Sequence, residues 1–290
     1  MSTPSRDVRL PVRISFPAAP FPAISSPAAT FPAAARRVRH AARRRPVLLA
    51  AEAARATTEL AGFALLAPLL ASAPRGDGHA VLVIPGWLAG DRSTLPLRRC
   101  LRLLGYTVHG WGQGVNRGPT VGSVAALRGR LSTLARESGG PVSVIGWSLG
   151  GMYAYELARR NPANVRQVIT LGSPAPSRGR RRSATTTASQ IVEAAAHSGV
   201  LIPVTPRPWR ETGSLRVPVT AVYSRTDGVV AWRSCLLAAA PRRQNIAVHS
   251  SHLGLGHNPA VVHLVTDRLA QPPGRWKPFR PGPLLRHAYP

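Results

Sequence analysis

Gly146-Trp147-Ser148-Leu149-Gly150 sets one serine between two glycines, with the apolar run 142–145 before it and a helical pattern after it. A serine on such a strand-to-helix turn sits in a strained backbone, and only very small neighbours let the turn close. In a chain with 26 glycines the bare pattern arises easily by chance, so its place between strand and helix is what gives it weight. The chemistry it suggests is nucleophilic attack by the Ser148 hydroxyl. An alcohol is a weak nucleophile, so a histidine must accept its proton and an acid must orient that histidine.

The apolar stretch 217–223 runs into Ser224-Arg225-Thr226-Asp227-Gly228, which puts Asp227 on the loop at a strand's C-terminal end. Asp-Gly is also an ordinary turn pair. With only 11 acidic residues in the chain, we take the one in this loop as the orienting acid. Two histidines compete in the loop after the last strand pattern. His252 comes straight off the strand end, whereas His257 stands beside the Asn258-Pro259 helix start and reads equally as a loop or capping residue. We take His252 as the base; His249 and His263 fall within strand and helix patterns. The tetrahedral intermediate needs backbone N–H donors. Leu149, after the nucleophile, supplies one, and Trp87, after Ile84-Pro85-Gly86, supplies the other. Asp91 and His109 read as loop-capping or core residues. No phosphate loop or metal-ligand cluster is present, and Gly112-Gln113-Gly114 lacks the spacing of a dinucleotide fingerprint, so no cofactor and no metal are expected.

The elements that must position these groups begin after the Arg75-Gly76-Asp77-Gly78 turn, where short apolar runs alternate with helical patterns, the signature of βα units on a parallel sheet. Strands are expected at 80–84, 106–109, 142–145, 165–171, 217–223 and 245–249. Helices are expected at 93–104, 121–137, 149–160, 231–239 and 259–269. The connection from 171 to 217 is too long for one loop and reads as a cap or lid insertion over 173–214. The fold class is therefore α/β, a mostly parallel six-stranded sheet flanked by helices. The domain plan is a disordered Pro/Ala/Arg-rich tail (1–45), an apolar or amphipathic helix (46–74), the α/β domain (75–270) and a C-terminal tail (271–290).

The formal charge of +27 would suit nucleic acid or an anionic surface. Nearly all of it is arginine, with Lys277 the single lysine, among abundant Ala, Gly and Pro, which is what GC-rich coding produces. A nucleic-acid partner is not expected. Cys100 and Cys235 fall in helical patterns and read as reduced thiols. Glu52, Arg55 and Glu59 interrupt the apolar run 46–73, which argues against a membrane crossing and for a helix packed on the core or on a membrane surface. A twin-arginine export signal, from Arg43 to Arg45 with Ala71-Ser72-Ala73, is the alternative.

With those residues in hand, 79–278 resembles the bacterial triacylglycerol lipases and lipase-like esterases of the α/β-hydrolase superfamily. The resemblance rests on Pro85-Gly86-Trp87, Gly146-Trp147-Ser148-Leu149-Gly150-Gly151, Ser224-Arg225-Thr226-Asp227-Gly228 and His252-Leu253-Gly254-Leu255. It implies His252 over His257, a sheet in the order 4-3-5-6-7-8 in the numbering of the full fold, and the loss of that fold's first two strands. The commoner His-Gly before the oxyanion residue is Pro85-Gly86 here. The implied activity is ester hydrolysis through an acyl-enzyme. An acyltransferase or a cofactor-free haloperoxidase-like enzyme is the alternative on the same fold, and a basic binding protein on a hydrolase scaffold is the non-enzymatic rival. The expected partners are a small-molecule or lipid ester and peripheral contact with an anionic membrane, in or at the edge of the cytoplasm.

Overall fold

The computed structural model describes residues 47–48, 50–66, 73–175, 215–283 and 285–290. The expected tail 1–45, the export signal and all but the first residues of the cap insertion lie outside the described residues.

Six strands form one sheet: β1 (Ala80–Ile84), β2 (Thr107–Gly110), β3 (Val142–Trp147), β4 (Val165–Leu171), β5 (Val219–Tyr223) and β6 (Arg243–Ala247). Their order is β2-β1-β3-β4-β5-β6 and every pairing is parallel. In the full fold's numbering this is the implied 4-3-5-6-7-8. Every residue of β1, β3 and β5 is buried, as parallel strands covered on both faces require, which is why these strands read as unbroken apolar runs. On one face Leu97 and Leu101 of α2 (Leu95–Leu103) and Val261, Val265 and Leu269 of α3 (Pro259–Leu269) pack on Val83, Ile145 and Ile169. On the other, Leu127, Leu131 and Leu134 of α4 (Val121–Glu137) and Tyr153 and Leu157 of α5 (Leu149–Arg160) pack on Leu82, Val144 and Val168. The register pairs Trp147 with Leu171, Leu171 with Val222 and Tyr223 with Ala247, so the loops after β3 to β6 leave the sheet side by side.

One expected element is corrected. Residues 231–239 are not an α-helix: only a 3-10 turn, Trp232–Cys235, forms. The Asn245 side-chain amide accepts from Leu237 N (2.8 Å) and donates to Leu237 O (2.9 Å), which holds that leucine extended beside β6 and overrides the helix preference of the Leu/Ala run. Strand β6 also starts two residues earlier than expected. The C-terminal segment folds back on the core: Gln244 exchanges two hydrogen bonds with the Phe279 backbone, and Tyr289 Oη donates to Ala260 O.

Ahead of the sheet stands α1 (Glu52–Leu65), whose inward stripe is Glu52, Arg55, Ala56, Glu59, Gly62 and Phe63, while Leu60 and Leu65 face out. Among the described residues no helix is long and apolar enough to cross a membrane.

Candidate active site

Strand β3 feeds straight into α5 through Ser148, whose backbone lies at φ 53°, ψ −121°. A non-glycine residue held there costs on the order of 1–3 kcal/mol, which persists only where the surroundings impose it. They do so here: a Cβ at Gly146 would lie 2.4 Å from Gly150 O, and one at Gly150 would lie 2.2 Å from Ile84 O. The small residues of the pattern are thus sterically required. Ser148 N donates to Leu171 O (2.8 Å), tying the turn to the end of β4.

Asp227 follows β5 and His252 follows β6. His252 Nδ1 donates to Asp227 Oδ2 at 2.7 Å, with both side chains almost fully buried. The other carboxylate oxygen, Oδ1, accepts from Val229 N (2.8 Å) and Val230 N (2.6 Å). The acid is thus fixed on both oxygens, and His252 keeps Nε2 as the ring nitrogen available to a hydroxyl. The alternative, His257, lies elsewhere, with Nε2 2.9 Å from Ala56 O.

Two contacts bring the pair up to the elbow. Trp147 Nε1, next to the serine, donates to His252 O (3.1 Å). Gly172, after Leu171, has φ 58°, and a Cβ there would lie 2.6 Å from Leu255 Cδ1, 3.1 Å from His252 Nδ1 and 3.2 Å from Asp227 Oδ2. Leu171 and Gly172 therefore form a common wall, with Ser148 bonded to one residue and the acid–histidine pair packed on the other.

The two expected oxyanion donors belong to the segments next to Ser148. Leu149 N is in the first turn of α5, where an N–H has no acceptor in its own helix and the helix dipole favours negative charge. The turn carrying Trp87 passes close to the serine: a Cβ at Gly86 would lie 3.2 Å from Ser148 Cβ. Trp87 Nε1 is a buried donor without a partner among the described residues.

Three residues escaped the sequence reading. Asn116, fully buried, donates from Nδ2 to Pro85 O (2.9 Å), and its backbone exchanges hydrogen bonds with Leu88 N and Ala89 O, so it shapes the Trp87 turn from beneath. Its Oδ1 accepts from Gly118 N (3.1 Å) and from Tyr153 Oη (3.4 Å), a phenol that burial pushes up to about 12 and keeps as a donor. Glu52 and Glu59 of α1 accept from the backbone of the acid and histidine loops. No local pattern marks any of the three; for Glu52 and Glu59 the one signal was a charge in an otherwise Ala/Leu-rich segment. Asp91 caps the loop after β2 through Trp111 N and Gly112 N. Among the described residues no group of His, Cys, Asp and Glu is arranged to hold a metal ion.

Residues 101–197 match the family model of the thioesterase domain, less than half of the chain. Among solved structures, a pyrethroid hydrolase from Sphingobium faniae JZ-2 is similar with a TM-score of 0.50 and 16% identity, over 67% of this chain and 98% of that one. A lipase-esterase related protein from Clostridium acetobutylicum ATCC 824 gives 0.44 and 14%, over 67% and 95%. The thioesterase domain from the curacin biosynthetic pathway gives 0.41 and 14%, over 68% and 93%. No curated protein matches. The likeness to the pyrethroid hydrolase takes in nearly all of that chain and two thirds of this one, which shows that the chain has the α/β-hydrolase fold.

Proposed function

We propose that this chain is a serine hydrolase that cleaves carboxylic esters through an acyl-enzyme. The observation that carries the reading is the buried Asp227–His252 pair, packed against the same wall that holds the strained Ser148 turn. In this reading Ser148 Oγ attacks the acyl carbon as His252 Nε2 takes its proton, and Asp227 stabilises the imidazolium. The Leu149 and Trp87 N–H groups receive the oxyanion, His252 protonates the leaving alcohol, and water repeats the sequence to release the acid. The likeness to the pyrethroid hydrolase agrees with a hydrolytic reaction.

The thioesterase family match favours a second reading, an acyl thioester as substrate, which needs the same residues and differs only in the leaving group. A series of p-nitrophenyl esters from short to long acyl chains, run beside acyl thioesters of the same lengths, separates the two. The comparison is made for wild type, Ser148→Ala, His252→Ala and His257→Ala. Loss of turnover in the first two variants and survival in the third supports the assignment; turnover unchanged in Ser148→Ala refutes it. A peripheral seat on an anionic membrane is proposed from the basic balance of the chain and from the outward Leu60 and Leu65 of α1. Failure to sediment with anionic vesicles at low salt removes it.

A further inference from the structure

We propose that α1 is a positioning element for the reaction, with the Glu52 carboxylate as its principal device. The helix holds the acid loop and the histidine loop at one fixed separation, so that Asp227 and His252 stay paired. The inference rests on the reading of these two residues as acid and base of a serine hydrolase.

Glu52 is only 2% exposed. Its Oε1 accepts from Gly228 N (2.9 Å) and its Oε2 from Leu253 N (3.0 Å). Gly228 and Leu253 are the residues directly after Asp227 and His252. One planar carboxylate thus spans the two loops, and its covalent geometry sets the distance between them. The residues directly before the pair are held by the same helix: Arg55 donates to Thr226 O and Oγ1 (2.8 Å each), and Glu59 Oε1 accepts from Ser251 N (2.6 Å). Acid and base are therefore each bracketed, one residue on either side, by side chains of a single helix face, one turn apart at the acid (Glu52 and Arg55) and two turns apart at the base (Glu52 and Glu59).

A helix docked only for stability would turn its leucines inward. This one does the reverse, with Leu60 and Leu65 exposed and two carboxylates directed at the loops. A carboxylate taken out of water is tolerated only when its oxygens are bonded and its charge is met, and here the loop amides supply the bonds and Arg55, 3.6 Å from Glu52 Oε1, the opposite charge. Direct loop-to-loop bonds, Ser224 Oγ to Ser250 O (2.6 Å) and Thr226 Oγ1 to Ser250 O (3.2 Å), lie beside the clip but touch neither Asp227 nor His252.

The test is kinetic and structural together, on the full chain. Glu52→Gln keeps one acceptor and turns an NH2 toward the other loop amide, so kcat is expected to fall about tenfold to a hundredfold with KM changed less than about threefold, since misplaced groups cost rate and not binding. Glu52→Ala is expected to lose at least as much, and hydrogen exchange is expected to rise together in peptides covering 224–230 and 250–258. Thr57→Ala, an exposed position of the same helix that bonds only Ala53 O, serves as the unchanged control, and melting curves establish that each variant is folded. Wild-type kcat in folded Glu52→Gln and Glu52→Ala, or exchange that rises in one loop alone, overturns the inference and leaves ester hydrolysis intact. A wild type without turnover that depends on Ser148 overturns the hydrolase reading and this inference with it, and the Ser148→Ala control tells that case from the others.

Discussion

Two sets of Ser, His and Asp stand at opposite ends of the same sheet. At the N-terminal end the His79 ring meets the Asp77 carboxylate through Nδ1 and lies 2.9 Å from Ser143 Oγ through Nε2. At the C-terminal end Asp227 and His252 pair beside Ser148. By hydrogen bonds alone the first set is the more complete relay. What it lacks is everything around the serine: Ser143 is fully buried inside β3, with Gln167 Nε2 3.4 Å from its hydroxyl, whereas Ser148 is half-buried on a strained turn at a helix N-terminus. Asp77 is half exposed and shared with Arg166 (2.9 Å), while Asp227 is sealed and saturated by backbone amides. A relay becomes chemistry only where a substrate can reach the hydroxyl and fixed donors await the oxyanion.

The largest expected effect breaks or keeps this contrast directly. Ser148→Ala should lower kcat for the best p-nitrophenyl ester by about a thousandfold or more. Ser143→Ala should leave kcat within about twofold and cost about 1 kcal/mol of stability, the ordinary contribution of one buried hydrogen bond. Steady-state kinetics and urea denaturation of both variants measure the four quantities. A comparable loss of kcat in Ser143→Ala would end the distinction between the two ends of the sheet.

A smaller effect sharpens what holds the C-terminal end together. Gly172 sits at φ 58° with its α-carbon against the acid–histidine pair. In Gly172→Ala the new methyl must displace Leu255 or His252 and also bear a left-handed backbone, so kcat is expected to fall about tenfold to a hundredfold. KM should move little. An alanine variant with full kcat would mean that the wall is not what sets the His252 position.

How far the site could be read in advance divides along the same lines. The elbow was legible because its constraint is largely local: the glycines, the strand and the helix lie within one short stretch of chain, and a Cβ at Gly146 would run into Gly150 O and Gly151 Cα. Asp227 and His252 were legible from their places at strand ends. Their supports were not, because the Glu52 bonds cross more than 170 positions to Gly228 and Leu253, and nothing near residue 52 announces them. A charged residue in an Ala/Leu-rich helix reads as a solvated face, yet Glu52 faces inward. The error at 231–239 has the same origin, since Asn245, across the sheet edge, outweighs the local preference of Leu236 to Ala240.

The smallest effect belongs to the N-terminal relay and gives it a signature of its own. Burial, beside the edge of Tyr106, lowers the His79 pKa from its ordinary 6.5; the bond to Asp77 opposes this and the nearby Arg166 adds to it. The unfolded chain therefore takes up this proton before the folded one does, so the stability owed to neutral His79 is fully present above pH 6.5 and is lost as pH falls through the lower, folded value. Asp77 does not titrate in that window. Burial raises its pKa, but the bonds from His79 and Arg166 outweigh this and hold it at about 2, so its own contribution, present above 3.8, is lost only toward pH 2. Wild type should accordingly melt lower at pH 5 than at pH 7.5. His79→Gln, which can still bond Ser143, should show a flatter Tm profile across that interval, and Asp77→Asn should melt below wild type above pH 4 and approach it as pH falls toward 2. If His79→Gln follows the wild-type slope between pH 7.5 and 5, the acid sensitivity of the fold lies outside this cluster, and the N-terminal relay is a passive set of hydrogen bonds with no titrating member.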